Sequence, residues 1–265
     1  MTPSAPWTSC APPAPRWAEL VEALYASLEH GCRLIAGASE DARLLERPGV
    51  QAAVVAVAPE RSVLNSVTYR HASELSAAYD ELAAAYDEIG ARWTVWVHDG
   101  DDEAAALLSE RGHVLDAHPR GMARTLADPP GRPPLEDWTA EGSMEEVAVI
   151  NDLAYGYDDS FRRGLSGMAG EALYVYLARS HGKPAGCLIT IDYGSNTDVS
   201  WVAVLPEARG RGLSGKLLSH ALADAADRGQ QTSTLVATKL GRPVYESLGY
   251  RQVGALQMWE QRSLT

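Results

Sequence analysis

Val202-Ala-Val-Leu-Pro-Glu-Ala-Arg-Gly-Arg-Gly-Leu-Ser-Gly-Lys-Leu217 is the stretch on which the reading of this chain turns. An apolar run enters a turn with three glycines in six residues. Leu213, Leu217, Leu218, Ala221, Leu222 and Ala225 then recur at helical spacing. The stretch is a strand, a glycine-rich turn and an amphipathic helix. Successive backbone N–H groups in such a turn, backed by the positive end of the helix, suit a phosphate or pyrophosphate. A Cβ at the glycines would hold the anion away from that backbone.

Three regular patterns compete for these residues. Gly210-x-Gly212-x-x-Gly215 satisfies the dinucleotide fingerprint. That fingerprint normally opens its domain, and only 55 residues follow Gly210. The next strand ends in Ala237-Thr238-Lys239, without the acid that holds a ribose. Gly210-x4-Gly215-Lys216 approaches a P-loop, but Leu217 stands where a hydroxyl must hold Mg²⁺. The remaining pattern is Arg209-x-x-Gly212-x-Ser214, preceded by Val202-Ala203-Val204 and Pro206-Glu207.

Outward from the loop, the period alternates between strand and helix. Strands are expected at 172–179, 185–193, 196–205, 232–238 and 252–262, with a helix at 242–248. Ser143-Met-Glu-Glu146 is a capping box that launches a helix through Leu153 after a weak strand near Leu135–Thr139. Pro129-Pro-Gly-Arg-Pro-Pro134 has no apolar period and is the best boundary in the chain. It divides a Pro-rich tail (1–15) and a first lobe (16–128) from a second lobe (135–265). In the first lobe, Trp17, Leu20, Val21, Leu24 and Leu28 make one helical stripe, and Leu75 to Ile89 make another. Strands are expected at 52–58, 63–70, 93–98 and around 113–125, with a helix at 101–111. Both lobes end strand, helix, strand, helix, strand, which is mixed α/β.

With the loop motif and Gly241-Arg-Pro-Val-Tyr245-Glu-Ser-Leu-Gly-Tyr-Arg251 after it, residues 135–265 resemble the GNAT superfamily of N-acetyltransferases. The resemblance implies a GNAT fold in the C-terminal half and a reaction that moves acetyl from acetyl-CoA directly to a primary amine. It implies that main-chain groups of Val202, Ala203 and Val204 receive the pantetheine arm. Loop groups from Arg209 and Gly210 through Arg211, Gly212, Leu213 and Ser214 to Gly215 would hold the pyrophosphate. Thr238 falls where the family often has a coenzyme-contacting Asn. Tyr245 matches the Tyr that protonates the departing sulfur. Asp198, four residues before Val202 and expected on its face, stands where some members carry a Glu base; the base is either Asp198 or water. The segment Asn151–Gly170, with Tyr155, Tyr157, Asp158, Asp159 and Phe161, lies where the family shapes its acceptor site.

The first lobe resembles a worn, partial copy of the second. Aligning Gly112-His113 with Gly249-Tyr250 sets Leu108 against Tyr245, and no glycine occurs between Val50 and Ile89. This lobe is expected not to bind acetyl-CoA. A non-catalytic acyl-CoA-binding or regulatory module is the alternative to the enzyme.

Composition narrows the partners. The 265 residues carry 23 basic against 35 acidic side chains, a net charge of −12, with 46% hydrophobic residues. Such a field repels nucleic acid and anionic membranes and accepts amines, free or on a peptide. Cys10, Cys32 and Cys187 make no disulfide framework or zinc spacing, and no metal is expected. The start lacks a basic stretch followed by an apolar one, and no apolar run approaches membrane-spanning length. A cytoplasmic protein is expected; a homodimer is left open.

Overall fold

The computed structural model describes residues 17–134, 138–139 and 142–262. The Pro-rich tail at 1–15 and most of the strand expected near Leu135–Thr139 lie outside them. Along the first half run α1(Trp17–Ala36), β1(Ala42–Arg47), β2(Val50–Val55), β3(Ser66–Tyr69), α2(Ala72–Glu88), β4(Trp93–His98), α3(Asp102–Glu110), β5(Val114–Ala117) and β6(Arg120–Thr125). The second half holds β7(Trp138–Thr139), α4(Met144–Tyr155), α5(Ser160–Leu165), β8(Leu173–Ser180), β9(Lys183–Tyr193) and β10(Asn196–Val204). It ends in α6(Leu213–Asp227), β11(Thr232–Ala237), α7(Arg242–Ser247) and β12(Arg251–Gln261). The expected mixed α/β succession is present, and two elements were not foreseen, β1 and the six-residue α5.

Local chemistry sets several of these boundaries. Ser143 and Glu146 form the reciprocal capping box, satisfying two N–H groups that a helix start leaves unpaired. Asp101 caps α3 by accepting from Ala104 N at 3.0 Å. The α5 start is anchored from outside: the Asp152 carboxylate accepts from Phe161 N at 3.0 Å and Arg162 N at 2.9 Å. Nothing local marks it, because its partner lies nine residues back.

Among the described residues twelve strands form one sheet, in the order β1-β2-β3-β4-β12-β6-β11-β10-β9-β8-β7, with β5 also paired to β12. The two halves exchange strands. β6, from the first half, lies between β11 and β12 of the second; its Thr125 to Arg120 pair antiparallel with Thr232 to Ala237. Reciprocally, the end of β12 (Leu256 to Gln261) lies between β4 and β5 of the first half. Residues 114–125 and 251–261 thus form a long antiparallel ribbon joining the lobes. Helix α1 crosses this ribbon, where Leu24, Ala123 and Val253 pack together. Gly121 leaves room for it, since a Cβ there would lie 2.3 Å from Leu24 Cδ2.

Around β8 to β10 the cores divide by face. One face carries α4, α5 and the C-terminal part of α1, with Val147, Phe161, Ile189 and Ala203. The other carries α6 and α7, with Val199, Leu218, Leu235 and Tyr245. Within the first half the same scheme recurs: β3, α2 and a parallel β4 match β10, α6 and a parallel β11. Among the described residues no helix is long and apolar enough to cross a membrane.

Candidate acyl-transfer site

β10 and β11 separate partway along their length. Their parallel pairing runs from Asn196↔Thr232 to Val199↔Leu235 and ends there, while Val236 and Ala237 continue to pair with β6 on the far side. The separation begins at a bulge: the β9–β10 register shifts between Ser200 and Ala203, and Trp201 takes φ +54°. For a bulky residue this backbone is rare and strained, a state that persists only where surroundings enforce it. The buried Asn151 does so, donating from Nδ2 to Trp201 O at 3.3 Å and to Val147 O at 2.9 Å. Trp201 was not singled out in the sequence, and Asn151 entered only as the start of the expected acceptor segment.

The bulge decides which groups face the opening. Leu205 N donates to Ala185 O on β9 at 2.9 Å. By alternation along the strand, Ala203 turns its main-chain groups to β9, and Val202 and Val204 turn theirs the other way. The bulge also moves Val202 to the α6 face, against the cluster that holds Val199. Asp198 therefore shares a face with Ser200 but not, as alternation alone predicts, with Val202.

At the mouth, Leu205 to Gly212 span the gap from β10 to α6, with a 3-10 turn at Pro206–Ala208. Gly210 and Gly212 take φ +76° and +70°, which L side chains rarely adopt, and a Cβ at either would point into open space. Gly212 begins α6 without a side-chain cap. First-turn N–H groups, here Leu213, Ser214 and Gly215, have no partner within a helix and attract anions. Arg209 is a brace: Nε donates to Val204 O at 3.1 Å and Nη2 to Ala154 O at 2.9 Å. Arg211 reaches Ser180 Oγ at 3.2 Å. Thr238 is exposed and its hydroxyl accepts from Gly241 N at 3.3 Å, shaping the entry to α7. The loop thus offers an uncapped helix start and glycine backbone without obstructing side chains, a fit for a pyrophosphate.

Asp198 lies at the root of the opening. Ser200 donates to its Oδ2 and Thr234 to its Oδ1 at 3.3 Å. Burial outweighs these two bonds and raises its carboxyl to about 6. The network continues through Asn196, which donates to Thr234 Oγ1 at 2.8 Å and to Ser27 Oγ of α1 at 3.1 Å. Tyr245, 8% exposed on α7, has its hydroxyl pushed up to about 12, by burial first and by Tyr155 second. Its ring lies against Gly241, where a Cβ would stand 2.8 Å from Cε2. Asp198 and Tyr245 both act on the buried Tyr250 hydroxyl, which is 2.6 Å from Ser233 Oγ.

The expected acceptor segment is aromatic. Tyr155 stacks on Tyr157 at 5.9 Å, Phe161 meets Trp201 edge-on at 5.3 Å, and Arg61 already covers Tyr157 at 3.7 Å. Asp159 pairs with Arg162 at 3.7 Å, so this acid is not free for an acceptor. Among the described residues no group of three or more His, Cys, Asp or Glu is placed to hold a metal ion.

Residues 171–252, spanning β8 to the start of β12, match the family model for an acetyltransferase (GNAT) domain. No curated protein matches the chain. Solved structures match it over nearly its whole length. A GNAT-type N-acetyltransferase from Kribbella flavida is 17% identical with a TM-score of 0.65, covering 90% of this chain and 96% of that one. One from Sphaerobacter thermophilus is 19% identical, with a TM-score of 0.56 and 94% of each chain covered. A tandem GNAT protein from the clavulanic acid biosynthesis pathway is 16% identical, with a TM-score of 0.55, covering 92% of this chain and 93% of that one. Residues 171–252 thus match a GNAT acetyltransferase domain, and over most of its length the chain shares the fold of these GNAT-type structures.

Proposed function

We propose that this protein is an N-acetyltransferase that moves the acetyl group of acetyl-CoA directly to a primary amine. The observation that carries this reading is the opening between β10 and β11, with a carboxylate at its root and an uncapped glycine loop at its mouth. Acetyl-CoA supplies the activated thioester; the chain supplies position, polarisation and proton transfer. The N–H groups of Val202 and Val204 would meet the pantetheine arm and polarise the thioester carbonyl. The backbone of Gly210 to Gly215 would hold the pyrophosphate, with Arg211 screening its charge and Arg209 fixing the loop.

Alkylammonium groups titrate near pH ~10, so the acceptor must lose a proton before attack. Asp198, at about 6, is ionised at neutral pH and can take that proton at Oδ1 or Oδ2, directly or through a water. The Tyr245 hydroxyl, protonated across the working range, donates to the departing sulfur. The net charge of −12 favours a cationic acceptor, a small molecule or a peptide amine, over any nucleic acid. A cytoplasmic setting belongs to the same reading.

The rival is a module that binds acyl-CoA without turning it over. The burial of Tyr245 and the two hydroxyls already engaging Asp198 favour it. Release of CoA thiol from acetyl-CoA, followed across a panel of primary amines at pH 8, separates the two. Amine-dependent thiol release is expected. One-to-one coenzyme binding with no thiol release for any amine supports the module instead.

A further inference from the structure

Where β10 and β11 still pair, Asn196 stands opposite Thr232 and Asp198 opposite Thr234, so two residues of each strand share one face. Helix α1 of the first lobe brings Ser27 onto that face. Asn196, Thr232, Thr234 and Ser27 are buried, and their hydrogens can be placed by elimination. Ser27 Oγ donates to Ala23 O at 2.8 Å, one turn back on its own helix, so it accepts from the sheet. What it accepts is an N–H of Asn196, at 3.1 Å. This turns the Asn196 amide with Nδ2 toward Ser27 and Thr234, and its Oδ1 accepts from the Thr232 hydroxyl at 2.8 Å. Both hydrogens and the oxygen of the amide are then engaged.

Thr234 carries this order to the carboxylate. Its Oγ1 accepts from Asn196 at 2.8 Å, which leaves it one hydrogen to give. Two oxygens lie in reach at 3.3 Å, Ser27 Oγ and Asp198 Oδ1. The ionised carboxylate is the stronger acceptor, so the hydrogen points at Asp198. The donors run one way, from Asn196 to Thr234 and from Thr234 to Asp198. No charged group among the described residues enters the balance at Asp198: burial raises its carboxyl, and Ser200 and Thr234 lower it. Asp192 of β9 is bridged to Arg228 at 2.8 Å, Asp152 of α4 binds the start of α5, and His220 of α6 meets the Pro133 carbonyl. His30 of α1 lies against Tyr193. Tyr250, between α7 and β12, is raised in part by Asp198 and is the titratable group coupled to it.

We propose that Thr234 is a positioning residue for Asp198, its hydroxyl aimed at Oδ1 by Asn196 and held in that sense by Ser27 of the first lobe. The inference rests on the reading of Asp198 as the base that takes the amine proton. It gives the first lobe a part in the reaction, through α1. A donor to the ionised form favours that form. Without the Thr234 hydroxyl the carboxyl keeps its burial and loses one of the two bonds that oppose it, so it should hold its proton to higher pH.

NMR titration of the Asp198 carboxyl in the full chain labelled at aspartate, without substrate, tests it; loss of the signal in Asp198→Asn assigns it. Thr234→Val keeps the shape and removes the hydroxyl, and Thr234→Ser keeps the hydroxyl. The Thr234→Val midpoint should lie at least ~0.5 pH unit above wild type, with Thr234→Ser within ~0.2 of wild type. Ser27→Ala should move the midpoint in the same direction by less. In Thr234→Val the acid limb of kcat/KM should move with the carboxyl, a parallel that loss of stability alone does not produce. A wild-type or lowered midpoint in Thr234→Val would overturn the proposal whatever the rates do, as would an equal rise in Thr234→Ser. An unchanged midpoint in Ser27→Ala would overturn the first lobe's part in it. A raised midpoint in Thr234→Val with no acid limb in the wild-type rate would keep the Thr234–Asp198 bond and overturn Asp198 as the base.

Discussion

Asp198 is held in a balance that burial wins and two hydroxyl donors do not reverse. Its folded value of about 6 lies above the ~3.9 of an unfolded aspartate. A raised acid favours its protonated form in the folded state, so stability falls as pH rises from ~4 to about 6 and the penalty persists above. Asp198→Asn should therefore be at least as stable as wild type at pH 8, while kcat/KM falls by ~10²-fold or more. The wild-type rate should drop below pH about 6. That limb should vanish in the variant, whose activity recovers partly at high pH as more amine becomes neutral. Melting curves beside a pH–rate profile check both; wild-type turnover in Asp198→Asn would remove it from the mechanism. Tyr245→Phe keeps the ring against Gly241 and removes one hydroxyl. Since a thiolate leaves tolerably unaided, kcat should fall by only ~10- to 100-fold, with acetyl-CoA affinity unchanged in a direct titration. Both side chains came from the resemblance to the family, by their matched positions, and not from a local signal of their own. The bulge at Trp201 and its hold by Asn151 were not legible, because a bulge is fixed by the strand and helix that pack on it rather than by its own residues.

At the scale of elements, the glycine loop does its work through backbone shape. Gly212 combines φ +70° with the N-cap position of α6, where no side chain caps the helix. Gly212→Val should lose ~1–2 kcal/mol of stability to left-handed strain and at least tenfold in coenzyme affinity. Gly212→Asn, a residue that tolerates this backbone, should recover most of the stability and little of the affinity, since its side chain still projects over the anion. Chemical denaturation and calorimetry separate the two effects. Wild-type affinity in Gly212→Asn would mean that the pyrophosphate does not approach this backbone. The loop, α6 and the capped start of α4 were readable because their signals are local: spacing, glycines and a capping box. α5 was not, since it is anchored by Asp152 from the preceding helix.

For the whole molecule, the exchanged strands are the main consequence that the sequence could not convey. β6 and β12 each read as ordinary strands closing their own lobes. Which neighbour a strand takes depends on the assembled sheet, and the pattern of apolar residues is the same for either choice. The linker at Pro129–Pro134 marks a change of lobe without making the lobes separate. Arg132 bridges Asp224 and Asp227 on α6, and the Pro133 carbonyl meets His220 at 2.7 Å. The chain should accordingly unfold in one transition, with coincident near- and far-UV signals. Leu24→Ala, at the crossing of α1 over the ribbon, should cost ~2–5 kcal/mol and lower that single midpoint. Two resolved transitions, or a shift confined to one lobe in hydrogen exchange, would contradict this coupling.

The central claim is that one lobe of the two holds the coenzyme, at the opening of β10 and β11. Titrating acetyl-CoA into the full chain and into Gly212→Val tests it most directly. One site per chain is expected, with a Kd on the order of micromolar, lost in the variant. Two sites per chain, no binding to the wild-type chain, or equal binding by Gly212→Val would contradict it.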